Sequence, residues 1–222
     1  MISPILANIY LHYVLDLWFE KVVKKRFQGS AYMVRYADDF VCCFQHGYEA
    51  RDFYRLLVQR LEKFNLNIAL DKSKIIEFGL FASRNARKQG KSKPETFDFL
   101  GFTHYCGQSL NGKFRVKRKT SRKKFKAAIH RIKQWIKANR TTPVTQLLEE
   151  IRPRLIGHYR YYGITDNGPM LSRYWYEVSK LVYKWLNRRS QRNSYTWEKY
   201  LLLLKANPLP TPKIYVSIFN GR

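Results

Sequence analysis

The run VRYADDFVCCF, from Val34 to Phe44, leaves the chain little choice of local fold. Val, Tyr and Phe favour extended strands, whereas Ala and Asp are poor strand formers and Asp favours turns. The run therefore predicts two short strands joined at Ala37, Asp38 and Asp39. Such a hairpin carries two adjacent carboxylates at its tip, in a chain with 42 Lys and Arg against 16 Asp and Glu. The ordinary explanation is that an exposed turn solvates charge at little cost. Against it, Tyr36, Phe40 and the flanking valines predict a buried sheet, where two unpaired carboxylates repel each other. A divalent cation removes that conflict. Magnesium fits best, because it takes hard oxygen ligands and is held by one or two carboxylates together with substrate phosphates. Beside nucleic acid, that donor set points to two-metal phosphoryl transfer.

The charge balance supplies the nucleic acid. A formal net charge of +26 repels itself in a compact state unless a polyanion neutralises it. A membrane surface is the other polyanion, yet no apolar run approaches the ~20 residues of a bilayer span, and no signal segment opens the chain. A soluble, intracellular, cytoplasmic protein is expected. With 45% hydrophobic and 16% aromatic residues, disorder is excluded for the chain as a whole, and 222 residues suffice for one sizeable domain or two small ones. Cys42, Cys43 and Cys106 show no zinc spacing, and His12, His46, His104, His130 and His158 are scattered, so none is assigned chemistry.

Along the chain, Ser3 is a candidate helix cap and Pro4 a first helical residue, opening a helix to about Lys25 whose basic last turn suits the helix dipole. Phe53, Leu56, Leu57, Leu61 and Phe64 recur at helical steps and predict an amphipathic helix over Tyr48–Phe64. LNIALDKSKIIEFG reads as one or two strands and TFDFLGFTHYC as another, with Gly101 permitting close backbone approach. SRNARKQGKSKPE between them reads as a flexible loop. After Gly112 the composition changes. Phe125, Ile129, Ile132, Trp135 and Ile136 line one side of a helix capped by Thr120 or Ser121, and the other side is nearly all Lys and Arg. A second helix starts at Thr142-Pro143, restarts at Pro153 and ends at Gly163; a third runs from about Pro169 to Arg189. NPLPTPKIYVSIFNGR predicts an extended tail. The fold class is α+β: sheet with helices, then three packed helices.

At this level of detail YADDFV resembles the catalytic hairpin of reverse transcriptases, and its surroundings resemble the group II intron reverse transcriptase and maturase family. ISPILANIYLHYVLDLWF is similar to the helix before that hairpin, LNIALDKSKI to the segment after it, FDFLGF to the strand ending the palm, and RLIGHYRYYG to the Gly and Tyr signature of the thumb or maturase region. Lys72 and Ser73 stand where the family has Lys-Thr. The resemblance covers essentially the whole chain. It implies part of a right-hand polymerase: the C-terminal half of a palm over 1–114, a three-helix thumb or maturase domain over 115–192, and a tail over 193–222. The implied catalytic residues and magnesium ligands are Asp38 and Asp39. The family's further Asp lies on an earlier strand; no Asp precedes Asp16, which is expected on the exposed side of the opening helix. The two-metal site is thus expected to be incomplete here, and no independent DNA synthesis is expected.

Implied nucleic-acid contacts are Lys72, placed to position primer or template, and the basic residues Arg122, Lys123, Lys124, Lys126, Arg131, Lys133, Lys137, Arg160, Arg188, Arg189 and Arg192. Tyr159, Tyr161 and Tyr162 are more readily packing residues than base-stacking ones. Implied partners are group II intron RNA, a DNA primer or target, and an N-terminal half on another chain; target-DNA cleavage is not implied. A different reading is a non-catalytic maturase remnant that binds RNA and assists splicing. A third is a relic or a start assigned too late.

Overall fold

A helical stretch from Ser3 to Arg26 opens the chain in the computed structural model, which describes residues 3–189 and 195–219. The Ser3 side chain proposed as a cap lies outside the described part. The stretch begins as α1 (Ser3–Leu11), widens into π-turns at His12–Asp16 and Phe19–Val23, and closes in α2 (Lys24–Arg26). In the π-turns the Leu17 and Lys24 N–H groups donate to the His12 and Phe19 carbonyls, five residues back. The wider winding keeps Val14, Leu15, Phe19 and Val23 on one buried face despite their four- and five-residue spacing.

Strands β1 (Ala31–Tyr36) and β2 (Asp39–Phe44) follow as the expected antiparallel hairpin, in register from Ala31 opposite Phe44 to Tyr36 opposite Asp39. Helix α3 (Gly47–Glu62) then buries Phe53, Leu57 and Leu61 at four-residue steps. These side chains form one core with Val14, Leu15, Phe19, Val23 and Ala31. Each Val, Leu or Phe buried in this way contributes roughly 1.5–3 kcal/mol relative to exposure. Glu49, also buried on α3, accepts from the Gln28 and Gly29 N–H groups and closes the turn into β1.

Two expectations fail in this half of the chain. LNIALDKSKIIEFG forms no strand: the Lys72 and Ser73 N–H groups both donate to the Ala69 carbonyl, making a turn. Leu66 and Ile68 pack on the core without entering a ladder. The apolar residues there mark docking points, not alternation. SRNARKQGKSKPE was expected as loop, yet α4 (Ala82–Lys88) occupies its first part, because Ala82 and Ala86 sit one turn apart and are buried. A short strand β3 (Phe97–Phe99) ends this unit.

The chain divides into two compact units, Met1–Phe99 and Leu100–Arg222. The division precedes the composition change at Gly112 because β4 (Phe102–Gln108) pairs antiparallel with β5 (Phe114–Thr120), so the segments on either side of Gly112 share one hairpin. Gly101, at φ +81°, meets the expectation of close approach: a Cβ there would press on the Tyr162 hydroxyl. Ser121 is the cap of α5 (Arg122–Ala138), its hydroxyl accepting from the Lys124 N–H. Helix α6 (Val144–Tyr162) runs unbroken through Pro153, where restarting was expected; Ile151 and Leu155, both fully buried, hold it across the proline. Helix α7 (Gly168–Leu186) completes the expected trio. A further helix, α8 (Trp197–Ala206), packs on them through Tyr200, whose hydroxyl donates to the Ser179 carbonyl (2.8 Å). Beyond it the chain is extended, and its Tyr215 and Val216 N–H groups donate to the Gly163 carbonyl. None of the described helices is long and apolar enough to cross a membrane.

Asn167, fully buried, joins three elements of this unit. Its Oδ1 accepts from the Thr120 N–H (2.8 Å), and its Nδ2 donates to Thr120 Oγ1 (2.9 Å) and to the Tyr162 carbonyl (2.8 Å). Asn167→Ala takes these partners from the buried Thr120 N–H and hydroxyl, while the Tyr162 carbonyl keeps the Ile164 N–H, and the loss costs about 2–3 kcal/mol. Urea unfolding should show that loss; a change under about 0.5 kcal/mol would mean the amide is no hub.

Candidate metal-binding hairpin and nucleic-acid interface

The turn between β1 and β2 is two residues long, with Ala37 at φ +54°, so Asp38 lies in the turn and Asp39 begins β2. The hairpin is half-buried, not buried as the flanking residues suggested. Ala31, Met33 and Arg35 alternate inward with Phe40, Cys42 and Phe44, while Tyr32, Val34 and Tyr36 are about two-thirds exposed. The apolar residues of the outer face do not bring burial with them. Asp38 and Asp39 are both exposed, and among the described residues no ion pair engages either.

An inward-facing arginine fixes the tip. Arg35 Nε and Nη2 donate to Asp16 Oδ1 (2.7 Å) and Oδ2 (2.6 Å), while Nη1 reaches Asn8 Oδ1 (3.0 Å) and the Ala37 carbonyl (2.7 Å). The fork thus ties the opening helix to the residue immediately before Asp38. Asp16, expected on the exposed side of its helix, instead faces the hairpin with its side chain only 25% exposed. The Arg35 hydrogen bonds hold its carboxyl below the usual value, and the same pairing raises the Arg35 pKa. The signal for this pair was present in the alternation: Ala31, Met33, Arg35 places a charge on the inner face, where it requires a partner.

The donor set at the tip suits magnesium in kind, because two hard carboxylate oxygens match what the ion usually takes from protein alongside phosphates. Among the described residues no cluster of three or more His, Cys, Asp or Glu side chains could enclose a metal. Asp16 is committed to Arg35 and does not supply the further ligand.

The basic positions are mostly where the sequence puts them. Arg122, Lys123, Lys124, Lys126, Arg131, Lys133 and Lys137 are exposed on α5, opposite buried Phe125, Ala128, Ile132 and Ile136. Among the described residues no ion pair engages any of them. On β5 Lys117 is half-buried and Lys119 exposed, in the alternating lysines of VKRKT. Lys72 sits exposed in its turn, and Arg160 and Arg188 are exposed. Arg189 differs: it is half-buried, burial lowers its pKa, and Nε and Nη2 lack partners among the described residues. Arg192 lies outside the described residues. Tyr159 is buried and donates to the Pro210 carbonyl, and Tyr162 packs against Phe102 and His158. Tyr161, 58% exposed, lies parallel to Phe102 at 6.1 Å.

Comparison with known families bears on both units. A family model described as reverse transcriptase (RNA-dependent DNA polymerase) matches residues 1–104, and one described as group II intron, maturase-specific domain, matches residues 122–201. No curated protein matches the chain.

The Asp16–Arg35 pair has a pH signature. A carboxyl whose folded pKa lies below its unfolded value stabilises fully above that value, here 3.8, and loses the contribution as pH falls through the folded pKa. Protection factors of the β1 and β2 amides, which correct each exchange rate for the intrinsic rate at that pH, should therefore fall below pH ~4 in the wild type. In Asp16→Asn they should already be lower at pH 7 and change less with acid. Identical profiles would remove the pair from the hairpin's stability.

Proposed function

From the premise that this chain belongs to the group II intron reverse transcriptase and maturase family, we propose that it acts as an RNA-binding maturase that grips intron RNA through α5. The supporting observation is the split of that helix into one buried apolar stripe and an exposed cationic face with no ion pair among the described residues. Phosphates of structured RNA take the place of the missing counter-charges, each contact releasing condensed ions. In this reading unit one is part of a polymerase palm and unit two the thumb or maturase region.

Asp38 and Asp39 are the proposed magnesium ligands at the hairpin tip. When bound, the ion supplies charge neutralisation for a phosphoryl group and lowers the pKa of an attacking hydroxyl. The chain's own contribution is positional: Arg35 holds the Ala37 carbonyl, so the two carboxylates stand on a turn that cannot swing freely. Lys72 would meet a nucleic-acid phosphate, and a DNA primer or target is the proposed second nucleic-acid partner. A non-catalytic role is proposed for these residues alone, because two carboxylates hold a metal loosely and Asp16 is committed to Arg35.

Filter binding of structured intron RNA by the purified chain should weaken steeply with salt. Replacing Lys123, Lys126, Arg131 and Lys133 by Gln should lower the log–log slope by on the order of 0.7 to 0.9 for each phosphate no longer neutralised. Asp38→Ala should leave binding unchanged. Binding indifferent to salt would overturn the reading, and primer extension that disappears in Asp38→Ala would overturn the non-catalytic part of it.

A further inference from the structure

A groove between α7 and the start of α8 is separate from every residue considered so far. It is open to solvent, with a volume of about 520 Å³, and is lined by Tyr176, Glu177, Lys180, Leu181, Tyr183, Lys184 and Trp197. That volume falls in the range of roughly 300–1,000 Å³ typical of sites for organic ligands. Two aromatic rings are open to solvent there, Tyr176 at 51% and Trp197 at 42% exposure. The Trp197 ring is braced edge-on by Tyr183, with centroids 5.0 Å apart and planes at 84°. It also lies 5.4 Å from the ring of fully buried Tyr200. Its plane is therefore set before any ligand arrives. Tyr176, Lys180 and Lys184 follow one another at four-residue steps, a stripe about 12 Å long on one face of the helix. Both lysines are exposed and outweigh Glu177, and Lys180 Nζ lies 5.2 Å from the Tyr176 ring.

We propose that this groove is a binding site for unpaired nucleotides of RNA, with one base stacked on Trp197, another on Tyr176, and the intervening phosphates met by Lys180 and Lys184. The occupant follows from charge and ring geometry. A chain of net charge +26 recruits a polyanion. Exposed aromatic faces distinguish between its forms, because a duplex offers them only phosphates and base edges, whereas unpaired bases present π-faces. An apolar protein segment would gain nothing from the lysine stripe. The proposal rests on the RNA-binding reading above, but it concerns a different surface and a different form of RNA.

The test is fluorescence anisotropy with a 5′-labelled oligouridylate and a labelled blunt RNA duplex of the same length, over a salt series. Tyr176→Ala should weaken binding of the single strand by about tenfold, the size expected for losing one stacked base, and change duplex binding less than twofold. Tyr176→Phe, which keeps the ring, should restore it. The double replacement of Lys180 and Lys184 by Gln should lower the single-strand salt slope by about 1.4, two phosphates at roughly 0.7 each. Trp197→Ala is informative only beside a circular-dichroism melt, since Trp197 also packs on Tyr183; Tyr176, more than half exposed, avoids that problem. Single-strand affinity unchanged in Tyr176→Ala, or lost equally for single strand and duplex, overturns the groove site and leaves the α5 reading standing. That outcome also fits a groove that takes a protein. Wild-type protein that binds neither RNA overturns both.

Discussion

Carboxylates are scarce in this chain, and the structure depends on where the few of them go. With 16 acids among 42 Lys and Arg, most cations have no internal partner. Three of the acids nevertheless reach groups at or beside chain reversals. Asp16 takes the Arg35 fork whose remaining nitrogen grips the Ala37 carbonyl in the β1–β2 turn. Glu49 accepts the Gln28 and Gly29 N–H groups where the opening helix gives way to β1. Asp166, itself at φ +76°, pairs with Arg115 in the link from α6 to α7. The two charge pairs add little net stability, because desolvation offsets attraction, but a wrong chain path leaves them, and Glu49, without their partners. Their effect is to specify the path. Asp38 and Asp39, by contrast, both face solvent at the hairpin tip, with no ion pair among the described residues.

Unit two solves a different problem: it carries the most basic helix of the chain yet needs a core free of uncompensated charge. Its central polar group is a neutral amide, Asn167, with three hydrogen bonds. The histidine in its interior is kept neutral as well. His158 stacks on Tyr174 at 3.7 Å, and burial, assisted by nearby Arg131, pushes its pKa down to about 4. Burial likewise pushes the Tyr174 and Tyr200 hydroxyls up to about 12. Apart from partly buried Arg115 and Arg189, most cations of the unit are at the surface, where their mutual repulsion opposes compaction and a bound polyanion would relieve it.

What the residues disclosed in advance was governed by how local the cause was. The hairpin, α3, α5 and α7 were legible because turn chemistry and hydrophobic period lie within each segment. Residues 66–77 misled because Leu66 and Ile68 resemble strand residues, while ladder formation depends on a neighbouring strand, which no local pattern encodes. Helix α4 was hidden by its polarity, since only Ala82 and Ala86 face inward and alanine carries little hydropathic signal. The run through Pro153 reflects tertiary packing overriding a local breaker. The carboxylates at the hairpin tip were legible, but their exposure was not: outer-face tyrosines and valines were mistaken for burial. The Asp16–Arg35 pair, 19 residues apart, needed the register to be visible.

The two RNA surfaces proposed for unit two differ in the physics of their grip. Lysines and arginines on α5 read phosphate only, so they favour any dense polyanion and lose affinity steeply with salt. Stacking on Tyr176 and Trp197 is far less sensitive to salt, yet it requires bases released from pairing. Either contact alone discriminates poorly, since genomic DNA satisfies the first and any unstructured transcript the second. Both belong to one compact unit, so an RNA that engages α5 with a helix and offers an unpaired stretch to the groove binds the second site intramolecularly, at high effective concentration. Selection then falls on RNAs that carry paired and unpaired segments at a fixed spacing, the property of a folded RNA, without any base being read by hydrogen bonds.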